Sequence, residues 1–364
     1  MKYKAILFFL CLLFLPCVNV HAQEYTLKSG KTAQGTYAGA EDYNYYQIKA
    51  AKVSYLQISA KTSNKKELVI DICDENKEII ASDVAIPHNK TVLHKVENNK
   101  IYYLRIKGTE GVTYKISYKA VSKEFGTLKY AKKYNYIFTN ASFNKEKNPI
   151  LLKVKVSQPG ILHFMCDTDD GITVKYLNSK KKAVSKNILM NKKALSGIGV
   201  QSKRFYYIKM WKPENTISGT TTINNLKYQI DFISSTNGDL RGRARTLAKD
   251  KYIKTLVPAG TTTVSWYKLK VTKKQKLSIT IQSHMLQNNG KNLQIYICNA
   301  SGKKINKSPI VIDGEASAIY KKKYVLKYPA TTFGTTAAFP EGTYYLKVES
   351  KTKTSSGSYS IKWK

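Results

Sequence analysis

The residues best equipped for chemistry are few and scattered. Asp167-Thr-Asp-Asp-Gly171 is the densest acidic stretch. Carboxylates at alternate positions ahead of a glycine suit a hard, oxygen-seeking cation, so Asp167, Asp169 and Asp170 could hold calcium. The same letters also spell a hairpin turn, because Asp-Gly tolerates the left-handed backbone that a two-residue loop needs. The other ligand positions of an EF-hand loop are absent, and the turn is the plainer reading. His88, His94, His163 and His284 form neither His-X-His nor His-Glu-X-X-His, which argues against a zinc centre. No Gly-X-Ser-X-Gly elbow is present. Cys73, Cys166 and Cys298 each sit in an alternating apolar run, as small buried hydrophobes do. They are odd in number and far apart, unlike a disulfide framework. No enzyme is expected. A glycosidase would need two carboxylates facing one cleft, which spacing along the chain cannot show.

Aromatic side chains are the other resource: 27 tyrosines and three tryptophans. Rings stack on sugars, and lysines beside them attract anions. Trp211, in Lys209-Met-Trp-Lys-Pro213, and Tyr320, Tyr324 and Tyr328, in Tyr320-Lys-Lys-Lys-Tyr-Val-Leu-Lys-Tyr328, are flanked by lysines in segments peculiar to one part of the chain. These four are the candidate ligand-binding residues. Packing against a neighbouring domain is the competing reading.

Most tyrosines belong to the scaffold that positions them. Tyr102-Tyr-Leu104, Tyr206-Tyr-Ile208 and Tyr344-Tyr-Leu346 are each followed by a Tyr-X-Ile strand: Tyr114-Lys-Ile116, Tyr228-Gln-Ile230 and Tyr359-Ser-Ile361. Alternation turns one ring of each pair inward and its neighbour outward. Upstream, Thr26-Leu27, Thr127-Leu128 and Thr246-Leu247 each precede a basic turn, an aromatic or aliphatic strand and a strictly alternating strand. The order repeats three times at about 100 to 120 residues, far beyond the ~20–50 residues of a solenoid repeat. Each unit is thus a whole domain. Short strands rich in Val, Ile, Tyr and Thr, parted by Asn, Gly, Lys and Ser, indicate three tandem antiparallel β-sandwich domains of jelly-roll type, an all-β protein. Leu195 to Val200 reads as loop, since Ser196, Gly197 and Gly199 interrupt it.

The boundaries are 1–22 for a signal peptide, then domains at 23–121, 122–236 and 237–364. Ser234 to Ala244 is the expected protease-sensitive linker, and the third domain carries a loop insertion over 308–340. Lys2 and Lys4, the apolar run Ala5 to Val18 and Val20-His-Ala22 make up the signal. Pro16 is wrong for lipidation of Cys17. No later stretch is long and apolar enough for a transmembrane segment.

The repeated unit resembles the bacterial pre-peptidase C-terminal (PPC) domain, through Ser265-Trp-Tyr-Lys-Leu269, Asn292-Leu-Gln-Ile-Tyr-Ile297 and Glu341-Gly-Thr-Tyr-Tyr-Leu-Lys-Val348. The first unit keeps Glu41-Asp-Tyr43 where that family places an acidic-aromatic turn, and the second is the most divergent. The resemblance implies a jelly-roll-like accessory module of secreted enzymes and surface proteins. Some members bind calcium through early acidic residues. The third unit has no acid between Lys251 and Lys276, so that property is not carried over to it.

The net charge of +37, spread along the chain, favours anionic partners. Export argues against nucleic acid as the partner. The expectation is a secreted binding or adhesion protein, associated with the cell wall by charge, that engages anionic cell-wall polymers or extracellular glycans. A structural spacer or assembly subunit is the alternative, and a hydrolase with an unrecognised site is a third. Lysines that merely keep a β-rich surface soluble would explain the charge equally well.

Overall fold

The computed structural model describes residues 23–37, 39, 43–51, 54–108, 110–121, 126–213, 219–234, 238–286, 291–306, 308–313, 320–329, 335–336 and 338–364. The expected signal peptide, Glu41, Asp42 and parts of the 308–340 insertion lie outside them. The fold is all-β. Helix among the described residues amounts to one turn, Asn140–Phe143, and one 3-10 turn, Arg241–Arg243.

Each repeat builds a five-stranded sheet of the same order. In the first it runs Gln23–Thr26, Asn44–Lys49, Ile101–Lys107, Leu68–Cys73, Ile79–Ile86. In the second it runs Thr127–Leu128, Ile150–Val156, Arg204–Trp211, Ile172–Leu177, Ile188–Met190. In the third it runs Arg245–Thr246, Val264–Val271, Gly342–Ser350, Lys291–Cys298, Ile310–Asp313. One pairing in each repeat departs from the antiparallel pattern. The opening strand pairs parallel with its neighbour, as in Gln23↔Asn44, Thr127↔Lys153 and Arg245↔Tyr267. Between those two strands the chain visits the opposite sheet, through Thr32–Thr36, Tyr134–Thr139 or Ile253–Val257, and so returns in its original direction. The opposite sheet again has one order throughout. In the third repeat it is Ile253–Val257, Gly357–Trp363, Ser278–Met285, Tyr320–Val325.

Period-two alternation fills the space between the sheets. In the third repeat Tyr267, Leu269, Leu346 and Val348 meet Ile279, Ile281 and Ile361, each side chain contributing about 1.5–3 kcal/mol by leaving water. Buried tyrosine hydroxyls are paired, as burial demands: Tyr46 with Tyr114 at 3.1 Å, Tyr267 with Tyr359 at 2.8 Å. The inward ring of each Tyr-Tyr pair clamps the turn before it. The hydroxyls of Tyr102 and Tyr206 accept from the Glu97 and Gln201 N–H groups at 2.9 and 3.2 Å, and Tyr344 donates to the Pro340 carbonyl at 3.1 Å.

The basic turn after each opening strand also recurs. Gly30, Ala131 and Asp250 take left-handed φ values of 79°, 54° and 61°. Their N–H groups donate to the last strand of the same repeat, at the carbonyls of Tyr118 (2.8 Å), Tyr228 (3.0 Å) and Trp363 (2.8 Å).

Two compact units emerge among the described residues, one within Met1–Ser122 plus Ile217–Thr220, the other within Lys123–Thr216 plus Thr221–Lys364. The second unit contains a joint that the sequence reading missed. Leu195 to Val200, expected as loop, belongs to the strand Lys193–Val200, which pairs with Gly160–Thr168. Its glycines mark close backbone approach rather than a break. A Cβ on Gly199 would lie 2.3 Å from the Val257 carbonyl oxygen. The Gly199 N–H donates to Ser356 Oγ at 2.7 Å, and its carbonyl accepts from the Ala259 N–H at 2.9 Å. Ile161, Ile233 and Leu256 close a small apolar cluster beside them. The described part of the expected linker is pinned as well: the Trp266 N–H donates to the Gly238 carbonyl at 2.6 Å, and Arg241 Nη1 to the Ala300 carbonyl at 2.9 Å.

Candidate functional site

The outward faces of the five-stranded sheets share one composition: lysine or arginine over aromatic rings. Along Arg204–Trp211, alternation sends Tyr206, Ile208 and Met210 into the core and Phe205, Tyr207 and Lys209 outward. Register sets Lys155 beside Phe205, Lys153 beside Tyr207, Lys175 beside Lys209 and Thr173 beside Trp211. Lys153 Nζ lies 4.1 Å from the Phe205 ring centroid and Lys181 Nζ lies 5.5 Å from that of Tyr207. Lys175 and Lys209 stand 5.8 and 5.5 Å from Trp211. In the first repeat Lys77 serves Tyr45 and Tyr103, and the Arg105 guanidinium lies 4.6 Å from Tyr43. In the third, Lys304 is 3.4 Å from Tyr296 and Lys347 is 5.5 Å from Trp266. Each such contact contributes about 0.5–1 kcal/mol where exposed, and together they hold ammonium groups in place at the surface.

The turn that carries Lys77 or Lys181 is the same in all three repeats. Asp74 Oδ1 accepts from the N–H groups of Asn76 and Glu78, both at 2.9 Å. Asn178 Oδ1 accepts from Lys180 and Lys182, both at 3.0 Å, and Asn299 Oδ1 from Lys303 at 2.9 Å. An Asp or Asn side chain folding back on its own backbone fixes such turns. The left-handed position falls on Lys77, Lys181 and Gly302.

The central outward position differs in how its cation is neutralised. In the first repeat Arg105 Nε donates to Asp71 at 2.8 Å, and Asp71, fully buried, also accepts the Asp83 N–H at 2.8 Å. In the third, Lys347 pairs with Glu349 on its own strand. In the second, Lys175 and Lys209 reach across to Glu146 Oε1 at 2.9 and 3.4 Å. Glu146 sits in the turn after Asn140–Phe143, and Lys175 first, then Lys209, holds its carboxyl below the ordinary range despite an opposing contribution from desolvation. Beside this cluster opens a groove of about 570 Å³, lined by Lys145, Glu146, Asn187, Leu189 and Trp211 among others.

The four aromatic candidates prove less exposed than their lysine-rich surroundings implied. Trp211 is not in a loop: it ends a strand, is 4% exposed and forms a wall of the groove beneath two lysines. Tyr320 and Tyr324 lie on a strand paired with Ser278–Met285, their hydroxyls 3.3 Å apart. Tyr328 stacks edge-on against Phe339 and Tyr344 at 5.3 and 6.1 Å. All three pack against the third core. Part of the 308–340 insertion is therefore sheet, and its three tyrosines are half-buried against that core.

The three aspartates do not converge. Asp167 accepts from Asn225 Nδ2 at 2.7 Å, Asp169 from the Thr222 N–H at 3.0 Å, and Asp170 from Lys212 Nζ at 2.7 Å. Among the described residues no three His, Cys, Asp or Glu side chains gather as a metal site. Each of the three carboxylates expected to hold calcium thus has a partner of its own. Cys73, Cys166 and Cys298 are free and buried. Burial pushes the Cys73 thiol up to about 11 and that of Cys166 to about 12. The residues that sequence reasoning passed over are Lys153, Lys175, Lys209 and Glu146. The first three had a signal, because Lys at alternate strand positions shares one face with the outward aromatics. Glu146 had none.

No known family model matches the chain, and no curated protein matches it. Solved structures similar to it include the pre-peptidase C-terminal domain of a Bacillus anthracis collagenase, at 15% identity over 33% of this chain and 94% of that one, TM-score 0.23. An archaeal-virus turret protein with a triple jelly roll fold is 10% identical over 92% and 88%, TM-score 0.23. Tandem CBM51 modules of a family 98 glycoside hydrolase from Streptococcus pneumoniae are 11% identical over 64% and 83%, TM-score 0.18. TM-scores this low carry no argument about ligand or role.

Proposed function

We propose that the chain is a secreted, non-catalytic binding protein that engages anionic cell-wall polymers or extracellular glycans through its lysine-over-aromatic faces. One observation carries this reading: the same outward face recurs in every repeat, on a chain of net charge +37. Lysines serving only solubility need no fixed aromatic platform. Several weak sites on one chain add through effective concentration, so modest contacts suffice. The test is binding of the full chain to sodium polygalacturonate and to neutral dextran. Polygalacturonate should be retained at low salt and released as ionic strength rises, since the screening length falls from about 10 Å at 0.1 M to about 3 Å at 1 M. Equal retention of dextran, or retention indifferent to salt, would refute the reading.

A spacer role is the second reading, and the Gly199 joint favours it, because hydrogen bonds rather than a free linker meet there. A rigid rod in solution scattering, together with no polymer retention, would select it.

A further inference from the structure

We propose that the groove beside Trp211 reads the carboxylate of a uronic-acid-containing glycan, and that Glu146 is the built-in occupant of the carboxylate position. The inference rests on the glycan-binding reading above and narrows it to one site and one sugar class.

Lys175 and Lys209 face each other directly across two strands. Like charges so placed repel. Two things hold them together: the Trp211 ring under both ammoniums, and the single carboxylate of Glu146 between them. Two ammonium groups converging on one carboxylate oxygen form a ready-made anion position. Glu146 fills it from an exposed turn, with its side chain 47% exposed. Another carboxylate can take its place while Glu146 swings into water, leaving no charge buried and unpaired. Neither of the other two repeats offers this exchange. Asp71, fully buried in its strand, cannot leave Arg105, and Glu349 shares a strand with Lys347.

The surroundings specify what else the ligand carries. Lys145, also lining the groove, leaves an excess of positive charge once Glu146 is counted. Leu189, 59% exposed, and Pro213 give the groove an apolar wall, while Asn187 and Thr173 add an amide and a hydroxyl. A pyranose ring presents both a C–H face and hydroxyls, and a uronate adds the carboxylate. Its size fits a groove within the ~300–1,000 Å³ range of small-ligand sites. An acidic peptide would satisfy the lysines but would leave the wall and the amide without a matching ring.

The test is calorimetric titration of the full chain with trigalacturonate, neutral galactotriose and tri-glutamate. Trigalacturonate should bind, with the other two at least about tenfold weaker. Glu146→Gln should bind it about threefold tighter, the size of a surface ion pair no longer competing. The double variant Lys175→Met, Lys209→Met should lose about tenfold or more. Leu189→Asp, altering an exposed side chain, should lose a comparable amount and guards against a misfolded double variant; melting curves check both. Tighter binding by none of the variants together with unchanged affinity in Leu189→Asp would overturn the site. Tri-glutamate binding as well as trigalacturonate would overturn the sugar class. If polygalacturonate is still retained by the full chain in either case, only this narrower inference falls. If it is not retained at all, the broader glycan reading falls with it.

Discussion

Replacing Gly199 by alanine should loosen the joint between the second and third sandwiches while leaving each sandwich intact. The backbone there has no left-handed φ, so the cost is purely one of space. The new Cβ would stand 2.3 Å from the Val257 carbonyl oxygen, 3.1 Å from its carbon and 3.3 Å from the Gly357 oxygen. All three are backbone atoms, and no rotamer change relieves them. The strands must part by about an ångström, and overpacking of this kind costs about 1–3 kcal/mol. Parting them also lengthens the Gly199 N–H to Ser356 bond of 2.7 Å and the Ala259 N–H to Gly199 bond of 2.9 Å, each contributing about 1 kcal/mol net. The total is about 3–5 kcal/mol at the joint. In urea, Gly199→Ala should split one transition into two, with cleavage by trypsin between residues 238 and 251 appearing at lower denaturant. Gly126→Ala, whose Cβ meets nothing within 4 Å, is the control and should shift stability by less than about 0.5 kcal/mol. If Gly199→Ala melts like Gly126→Ala, the two repeats are not held at that contact and the joint is wrongly assigned.

Three further outcomes follow from buried polar groups. Asp71→Asn should destabilise the first sandwich by about 3 kcal/mol in urea melts, because Arg105 and Lys107 lose the buried carboxylate they share; an unchanged midpoint would show that Arg105 finds water instead. Desolvation lowers His94 from 6.5 to about 4. The unfolded chain thus takes up a proton that the folded chain refuses, and stability present above pH 6.5 should fall by about 3 kcal/mol as pH drops to 4. His94→Phe should flatten that slope, and a slope left unaltered would refute the assignment. Burial raises Tyr46, Tyr114, Tyr136, Tyr176, Tyr267 and Tyr359 above the ordinary 10.0. The folded state keeps protons that the unfolded state sheds, so stability is complete below pH 10 and is lost above it. Absorbance at 295 nm should show these rings ionising in one steep step that coincides with unfolding, whereas a smooth titration of all tyrosines would count against their burial.

Much of this architecture was legible because β-sandwiches write themselves in period two. Val264–Val271 and Ile150–Val156, the strands that follow two of the basic turns, alternate buried and outward residues as period two requires. The Tyr-Tyr pairs announce a repeated framework, and the inward rings Tyr102, Tyr206 and Tyr344 are all buried, with Tyr103 nearly as covered as its neighbour. What alternation could not express was contact across the fold. Gly197 and Gly199 looked like breakers because sequence cannot show a carbonyl waiting 2.3 Å away. Trp211, Tyr320 and Tyr324 look exposed because lysines flank them, yet Trp211 is covered by Lys175 and Lys209 and the two tyrosines are half-buried against the third core. Asp167, Asp169 and Asp170 are neighbours in the chain, yet each side chain finds a different partner in space. Glu146 was invisible altogether, since its significance comes wholly from two lysines on other strands.

The recurrent turn that opens each sandwich has a mechanical consequence. Gly30, Ala131 and Asp250 tie the beginning of a repeat to its final strand through one N–H···O bond of 2.8 to 3.0 Å. In the third repeat the Trp363 indole adds a second tie, donating to the Leu247 carbonyl at 2.6 Å, and in the first the Ala120 N–H adds one to Ser29 Oγ at 3.1 Å. A pull along the chain enters and leaves each repeat at these points, so tension meets the ties before it reaches the long sheet ladders. Forced extension is governed by how fast such links open rather than by equilibrium stability. A chain anchored at one end and stretched by flow would accordingly lengthen stepwise, repeat by repeat.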